Sequence, residues 1–134
     1  MVWRKFKRFG PDVAFVDAAL EYAFDRFTVD PRRIVVAGYS DGGTYALALG
    51  LGNGDLFARV VALAPEYVPP AALRIGKPPV FVAHGLTDAE HPIDQTSRRI
   101  VSELQSAGYT VEYQEYQGGH SLPPGVFARA LSKM

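Results

Sequence analysis

The stretch "VAGYSDGGTYAL", residues 35–46, holds one serine with a glycine two places away on each side: Gly38, Ser40 and Gly42. Placed between a strand and a helix, Gly-x-Ser-x-Gly makes a turn so tight that the serine takes a strained backbone angle and presents its hydroxyl. Alone, the pattern is weak. With 13 glycines in 134 residues, a shuffled chain of this composition shows it roughly once in twenty tries. Its meaning depends on what flanks it.

On the near side, "RIVVAG" (33–38) reads as a short buried strand of β-branched residues. On the far side, the apolar run from Thr44 to Leu51 reads as a helix, ended by "GNGD" at 52–55. Upstream, Pro11 opens a helical pattern over 11–27, with Val13, Val16, Leu20, Ala23, Phe24 and Phe27 at three- and four-residue spacing. Pro31 then disfavours helical geometry at Asp30. "ARVVALAP" (58–65) and "PPVFVAHG" (78–85) are two further buried strands. An amphipathic helix runs from Ile93 to Ala107 and stops at Gly108, "TVEYQEYQ" (110–117) alternates like a strand nearer a sheet edge, and 124–134 is a last helix. Strands alternating with helices predict an α/β fold: a mostly parallel four-stranded sheet with helices on both faces. Residues 1–134 read as one domain, with 1–10 a basic N-terminal segment.

Composition narrows the function classes. Fourteen basic residues against fourteen acidic argue against nucleic acid or a membrane surface as a partner chosen by bulk charge. No run of about eighteen apolar residues occurs, so no membrane span is expected. The absence of cysteine excludes a thiolate nucleophile, a disulfide scaffold and a zinc-thiolate site. After the basic "MVWRKFKRFG" come Pro11 and Asp12, not the apolar run of a signal peptide, so a cytoplasmic location is expected. The three histidines, His84, His91 and His120, lack metal-ligand spacing; neither metal nor cofactor is expected.

In an open α/β sheet, functional groups gather at the carboxyl ends of the strands. There the order is Ser40, Asp88 in "HGLTDAEHP", and His120 in "GGHSLPP", each just past a strand end. Serine is a poor nucleophile until a histidine removes its proton, and a carboxylate must hold that histidine in the right tautomer. Glu66 and Glu90 rival Asp88 as the acid. His84, closing an apolar strand, reads as a satisfied core histidine, and His91 as exposed. The Asp41 carboxylate reads as structural.

"GYSDGG", "HGLTDAEHPI" and "YQGGHSLP" together resemble the α/β-hydrolases, and within them the bacterial phospholipase/carboxylesterase and polyhydroxybutyrate-depolymerase-like serine esterases. The resemblance runs from about residue 11 to the end. It implies Ser40 as nucleophile, Asp88 as acid, His120 as base and the Asp41 backbone N–H as oxyanion donor. A small-molecule ester with a short acyl group is the implied substrate, with Tyr39, Tyr67 and Leu122 as candidate contacts and the loop 66–78 shaping access. The family has several strands before the nucleophile strand, and a glycine-rich loop supplying half of the oxyanion hole. This sequence begins only a helix before that strand, which implies a truncated core and a slow enzyme. It also implies a bare edge at 33–38 and an uncovered helix at 11–27, hence a homodimer. The rival reading is a catalytically weak hydrolase core serving as a binding or assembly module. Peptidase and thioesterase variants of the same fold stay open.

Overall fold

The apolar runs become four strands: β1 (Val35–Tyr39), β2 (Arg59–Leu63), β3 (Val80–Gly85) and β4 (Val111–Tyr116). In the computed structural model, which describes residues 11–132, they lie side by side in chain order, and every neighbouring pair is parallel. Residues 1–10, including the basic segment, fall outside the described residues. Every residue of β3 is buried, as are Val60 to Leu63 of β2, in keeping with continuous apolar sequence. β1 corrects the expectation of a buried strand. It is half-buried with Ala37 exposed, because its outer edge has no partner among the described residues. β4 is the opposite edge, as its alternation suggested.

Helices cover both faces. Helix α2 (Asp41–Gly52) follows β1 and lays Leu47 and Leu51 on Val60, Ala62, Val80 and Val82. Helix α3 (Ser97–Ser106) brings Ile100, Val101 and Leu104 to the same cluster. Each such aliphatic side chain contributes about 1.5–3 kcal/mol on full burial. Helix α1 (Pro11–Arg26) packs through Val16, Leu20 and Phe24 against Ala48, Leu49, Leu56 and Phe57. The far face carries Val61, Leu63, Phe81 and Ala83, covered by Val126 and Ala130 of helix α4 (Pro124–Leu131). Phe27 departs from its predicted place in the α1 stripe: it lies past the helix end and is 64% exposed. The helix expected from Ile93 is also interrupted. A 3₁₀ turn at Ile93–Gln95 precedes α3, and at the break the Thr96 hydroxyl donates to the Pro92 carbonyl while Ser97 Oγ turns inward to His84. No helix among the described residues is long and apolar enough to cross a membrane.

The turn from β1 into α2 depends on glycine, but not on the pair that frames the motif. A Cβ on Gly38 would stand 1.9 Å from the Gly42 carbonyl oxygen, and one on Gly43 would stand 2.7 Å from the Leu63 carbonyl oxygen. A Cβ on Gly42 would meet nothing within 4 Å. Gly42 therefore matters for where its carbonyl lies. The expected ranking follows: G38A and G43A lower the urea midpoint strongly or prevent folding, whereas G42A stays within about 1 kcal/mol of wild type, since alanine is the better helix former. Equal losses at positions 42 and 43 would contradict this close-contact account.

Candidate active site

Ser40 sits at the summit of that turn with φ 61° and ψ −120°. For a residue with a Cβ this left-handed conformation is strained, and the surroundings hold it in place. Its N–H donates to the Leu63 carbonyl at 2.8 Å, and its carbonyl accepts from the N–H groups of Gly43 and Thr44. The hydroxyl is left facing the loops after β3 and β4. Asp41 is the first residue of α2, so its N–H has no acceptor within the helix.

The two other loops are tied to one another. Leu86 N–H donates to the Tyr116 carbonyl and Thr87 N–H to the Gly118 carbonyl, at 2.9 and 3.0 Å. This brings Asp88 and His120 together: His120 Nδ1 lies 2.7 Å from Asp88 Oδ2, and His120 Nε2 lies 2.8 Å from Ser40 Oγ. A carboxylate only accepts, so Nδ1 carries the proton, and the Nε2 lone pair of the neutral ring accepts the Ser40 hydroxyl. The second oxygen of Asp88, Oδ1, accepts the backbone N–H groups of Glu90 and His91 at 2.9 and 2.8 Å. Burial by itself would raise the Asp88 pKa, but the His91 N–H and the His120 ring outweigh it and hold the carboxyl below its ordinary range. Burial, together with the charges of Asp88 and Glu90, pushes the Tyr39 phenol up.

The rivals occupy other places. Glu66 Oε2 stands 3.9 Å from His91 Nε2, away from the contacts of His120. Glu90 Oε2 approaches His120 Nε2 at 3.3 Å, on the nitrogen facing the serine, while its own backbone N–H supports Asp88. Its side chain was weighed only as an alternative acid; its place beside the serine-facing nitrogen has no signature in sequence. His84 is wholly buried, as a core histidine should be. His91 corrects the expectation of exposure: it is 8% exposed because Nδ1 donates to the Ala64 carbonyl and its ring packs edge-on against His120. The Asp41 carboxylate converges with Glu66 and His91, their ligand-type atoms lying within 4.8 Å of one another. Both carboxylates are exposed, and Glu66 Oε2 is the nearer to the His91 ring, at 3.9 Å.

Of the expected substrate contacts, Tyr39 lies closest to the chemistry, its ring 5.3 Å from that of His120. Tyr67 lines a cavity of about 190 Å³ with Asp41, Thr44, Tyr45 and Glu66. Leu122 is packed against the cluster holding Leu63 and Val126. Only the start of the loop 66–78 borders this region. Further on, Arg74 pairs with Glu103 of α3 and donates to the Pro69 carbonyl, drawing the chain back over the helix. A cavity of about 510 Å³ lies at the other end of the sheet, beside Arg33, Arg59 and Glu112, remote from Ser40.

A parallel sheet with serine, aspartate and histidine delivered in that order past the ends of β1, β3 and β4 defines an α/β-hydrolase. The chain belongs to the phospholipase/carboxylesterase family, whose sequence pattern matches residues 12–133. It is 35% identical over 88 residues to NocK of Nocardia uniformis subsp. tsuyamanensis, provisionally named an esterase, covering 64% of this chain and 26% of NocK. The crystal structure of esterase PE8 superposes with a TM-score of 0.77 at 25% identity, covering 90% of this chain and 58% of PE8. A variant of Arabidopsis thaliana SOBER1 shares the fold at 20% identity, with a TM-score of 0.73 over 97% of this chain and 65% of its own. The chain thus spans about a quarter of NocK and just over half of PE8.

The Asp88 geometry has a consequence for stability. Its folded pKa lies below the ordinary 3.8, so its stabilising contribution is complete above the unfolded value and is lost as pH falls through the folded one. Asp88→Asn cannot ionise. Between about pH 5 and pH 2 the wild type should lose more stability than this variant, read from urea midpoints at each pH. Parallel losses would mean that the donors around Asp88 do not hold the carboxylate.

Proposed function

We propose that the protein hydrolyses short-chain carboxylic esters through an acyl-enzyme on Ser40. The reading is carried by one observation: an unbroken hydrogen-bonded chain from Ser40 Oγ through His120 to Asp88, at 2.8 and 2.7 Å, on a strained turn. Ser40 Oγ attacks the ester carbonyl as His120 Nε2 takes its proton, and Asp88 stabilises the imidazolium. The oxyanion meets the Asp41 N–H. His120 returns the proton to the leaving alcohol, and water, deprotonated by the same nitrogen, then releases the acid. PE8 is an esterase, which agrees with this chemistry. The small adjoining cavity, about 190 Å³, against the roughly 300–1,000 Å³ of sites for larger ligands, favours a short acyl group. Tyr67 borders it, and the Tyr39 ring lies 5.3 Å from that of His120.

Incubation with a fluorophosphonate followed by mass spectrometry tests the proposal. One adduct on Ser40 is expected, and none after S40A or H120A. An unmodified wild-type protein would point instead to a binding module. For the acid, D88N should cost up to about 10⁴ in turnover through the wrong histidine tautomer, and E66Q little; the reverse ranking would move the acid to Glu66.

A second copy is proposed to cover the β1 edge or helix α1. Ala37 on that edge is exposed, and α1 leaves Phe15 and Tyr22 75% and 55% exposed. Such an apolar surface beside a strand edge that has no partner among the described residues invites association. Sedimentation at micromolar concentration should give a dimer, and F15E together with Y22E a monomer; a wild-type monomer would refute it.

A further inference from the structure

Strand β3 ends on a histidine that faces the acid from within the core. His84 Nε2 stands 2.7 Å from the His91 carbonyl oxygen and 3.2 Å from Asp88 Oδ2. A carbonyl oxygen only accepts, so Nε2 carries the proton. His84 Nδ1 lies 2.6 Å from Ser97 Oγ. Burial lowers the His84 pKa and keeps the ring neutral. Nδ1 is then an acceptor, and the Ser97 hydroxyl must donate to it. Its partners thus dictate both ring nitrogens, and the proton is aimed at the oxygen of Asp88 that also receives His120.

We infer that His84, locked in the Nε2–H tautomer by Ser97, is a positioning residue for Asp88, sharing its proton between Asp88 Oδ2 and the His91 carbonyl. The inference rests on the reading of Ser40, His120 and Asp88 given above and extends it into the core. The shared proton closes a ring of contacts, since His91 N–H donates to Asp88 Oδ1 while the His91 carbonyl receives His84. The carboxylate is fixed from both oxygens. Donation to Oδ2 also draws negative charge from the atom facing His120. Without it, Asp88 would bind the His120 imidazolium more strongly and the ring would hold its proton to higher pH. A histidine that was only core filling would affect stability and leave the protonation of His120 alone.

Several other groups act on this cluster. Glu90 and His91 adjoin His120 from the loop after β3 and Tyr39 from the end of β1, while Tyr116, at the end of β4, acts on Asp88 and Tyr39. Glu115, paired with Arg98 of α3, acts on His84 from β4. All are retained when only residue 84 is changed.

Nitrogen-15 NMR of the histidine rings provides the test. In the wild type, His84 should hold the Nε2–H tautomer at neutral and alkaline pH and titrate below an ordinary histidine. H84M fills the space without a donor, whereas the amide of H84Q places N–H groups within reach of both acceptors. In H84M, His120 should titrate at higher pH than in wild type, and kcat on p-nitrophenyl acetate should fall about ten- to a hundredfold with KM little changed. H84Q should recover most of both. A wild-type His84 found as the Nδ1–H tautomer, or titrating near neutrality, overturns the inference even if neither variant folds. So does an H84M protein with unchanged His120 titration. The triad reading fails separately, by absence of a fluorophosphonate adduct on wild-type Ser40, and the ring measurements need no turnover.

Discussion

The backbone reversal at Ser40 governs the arrangement around it. A left-handed residue between a parallel strand and a helix is strained, and it persists only where its neighbours leave no other path. Here the constraint is the near-contact of two stretches of backbone. The Gly42 carbonyl lies where a Cβ on Gly38 would be, and the Leu63 carbonyl lies against Gly43. Because Leu63 also accepts the Ser40 N–H, the turn is fastened to the next strand as well as to its own helix. The first turn of α2, its free N–H groups and the serine hydroxyl are therefore set by one close approach. Moving the helix by the width of a methyl group would move all of them.

The second anchor is the carboxylate of Asp88. It is buried, which disfavours its charged form, but it receives two backbone N–H groups on one oxygen and two imidazoles on the other. A buried charge persists when its lone pairs are filled, and the donors here come from both sides of the site. Those from Glu90 and His91 belong to its own loop, His120 comes from the loop after β4, and His84 comes from within the sheet. The acid is thus also the point where two loops and a strand are cross-linked. The sheet register that places His84 opposite Glu115 and Gly85 opposite Tyr116 serves this junction directly.

Much of this was legible in sequence because the controlling terms are local. Val35 to Gly38, Val60 to Leu63 and Val80 to Ala83 are apolar runs too short for helices, and Ser40 and Asp88 lie just past the first and third of them, as His120 lies just past β4. The order serine, aspartate, histidine needed no knowledge of distance. What was not legible depends on contacts between distant segments. Exposure of His91 was the natural reading for a histidine in a polar loop, yet the free Ala64 carbonyl, 27 residues away, draws it inward. The break before α3 follows from a serine recruited by a histidine thirteen residues earlier. Which of Gly42 and Gly43 is sterically required was also hidden, since only the path of β2 decides it.

The three histidines show how identical side chains are given different work by the kind of atom they face. His120 has a carboxylate on Nδ1, which can stabilise an added positive charge, and a hydroxyl on Nε2, which can supply the proton. His91 has a carbonyl on Nδ1 and a carboxylate only at 3.9 Å from Nε2, an arrangement suited to a loose ion pair at the rim. His84 has a carbonyl and the Asp88 carboxylate on Nε2, a hydroxyl on Nδ1, and no solvent. With a fixed acceptor on one side and a rotatable donor on the other, it can stay neutral and still donate. A ring that gains a proton needs a nearby anion, and of the two rings that contact Asp88 Oδ2, His120 is the one beside the Ser40 hydroxyl while His84 is wholly buried. In the proposed reaction, proton transfer therefore falls to the histidine beside Ser40, while His84 helps to hold the carboxylate that faces it.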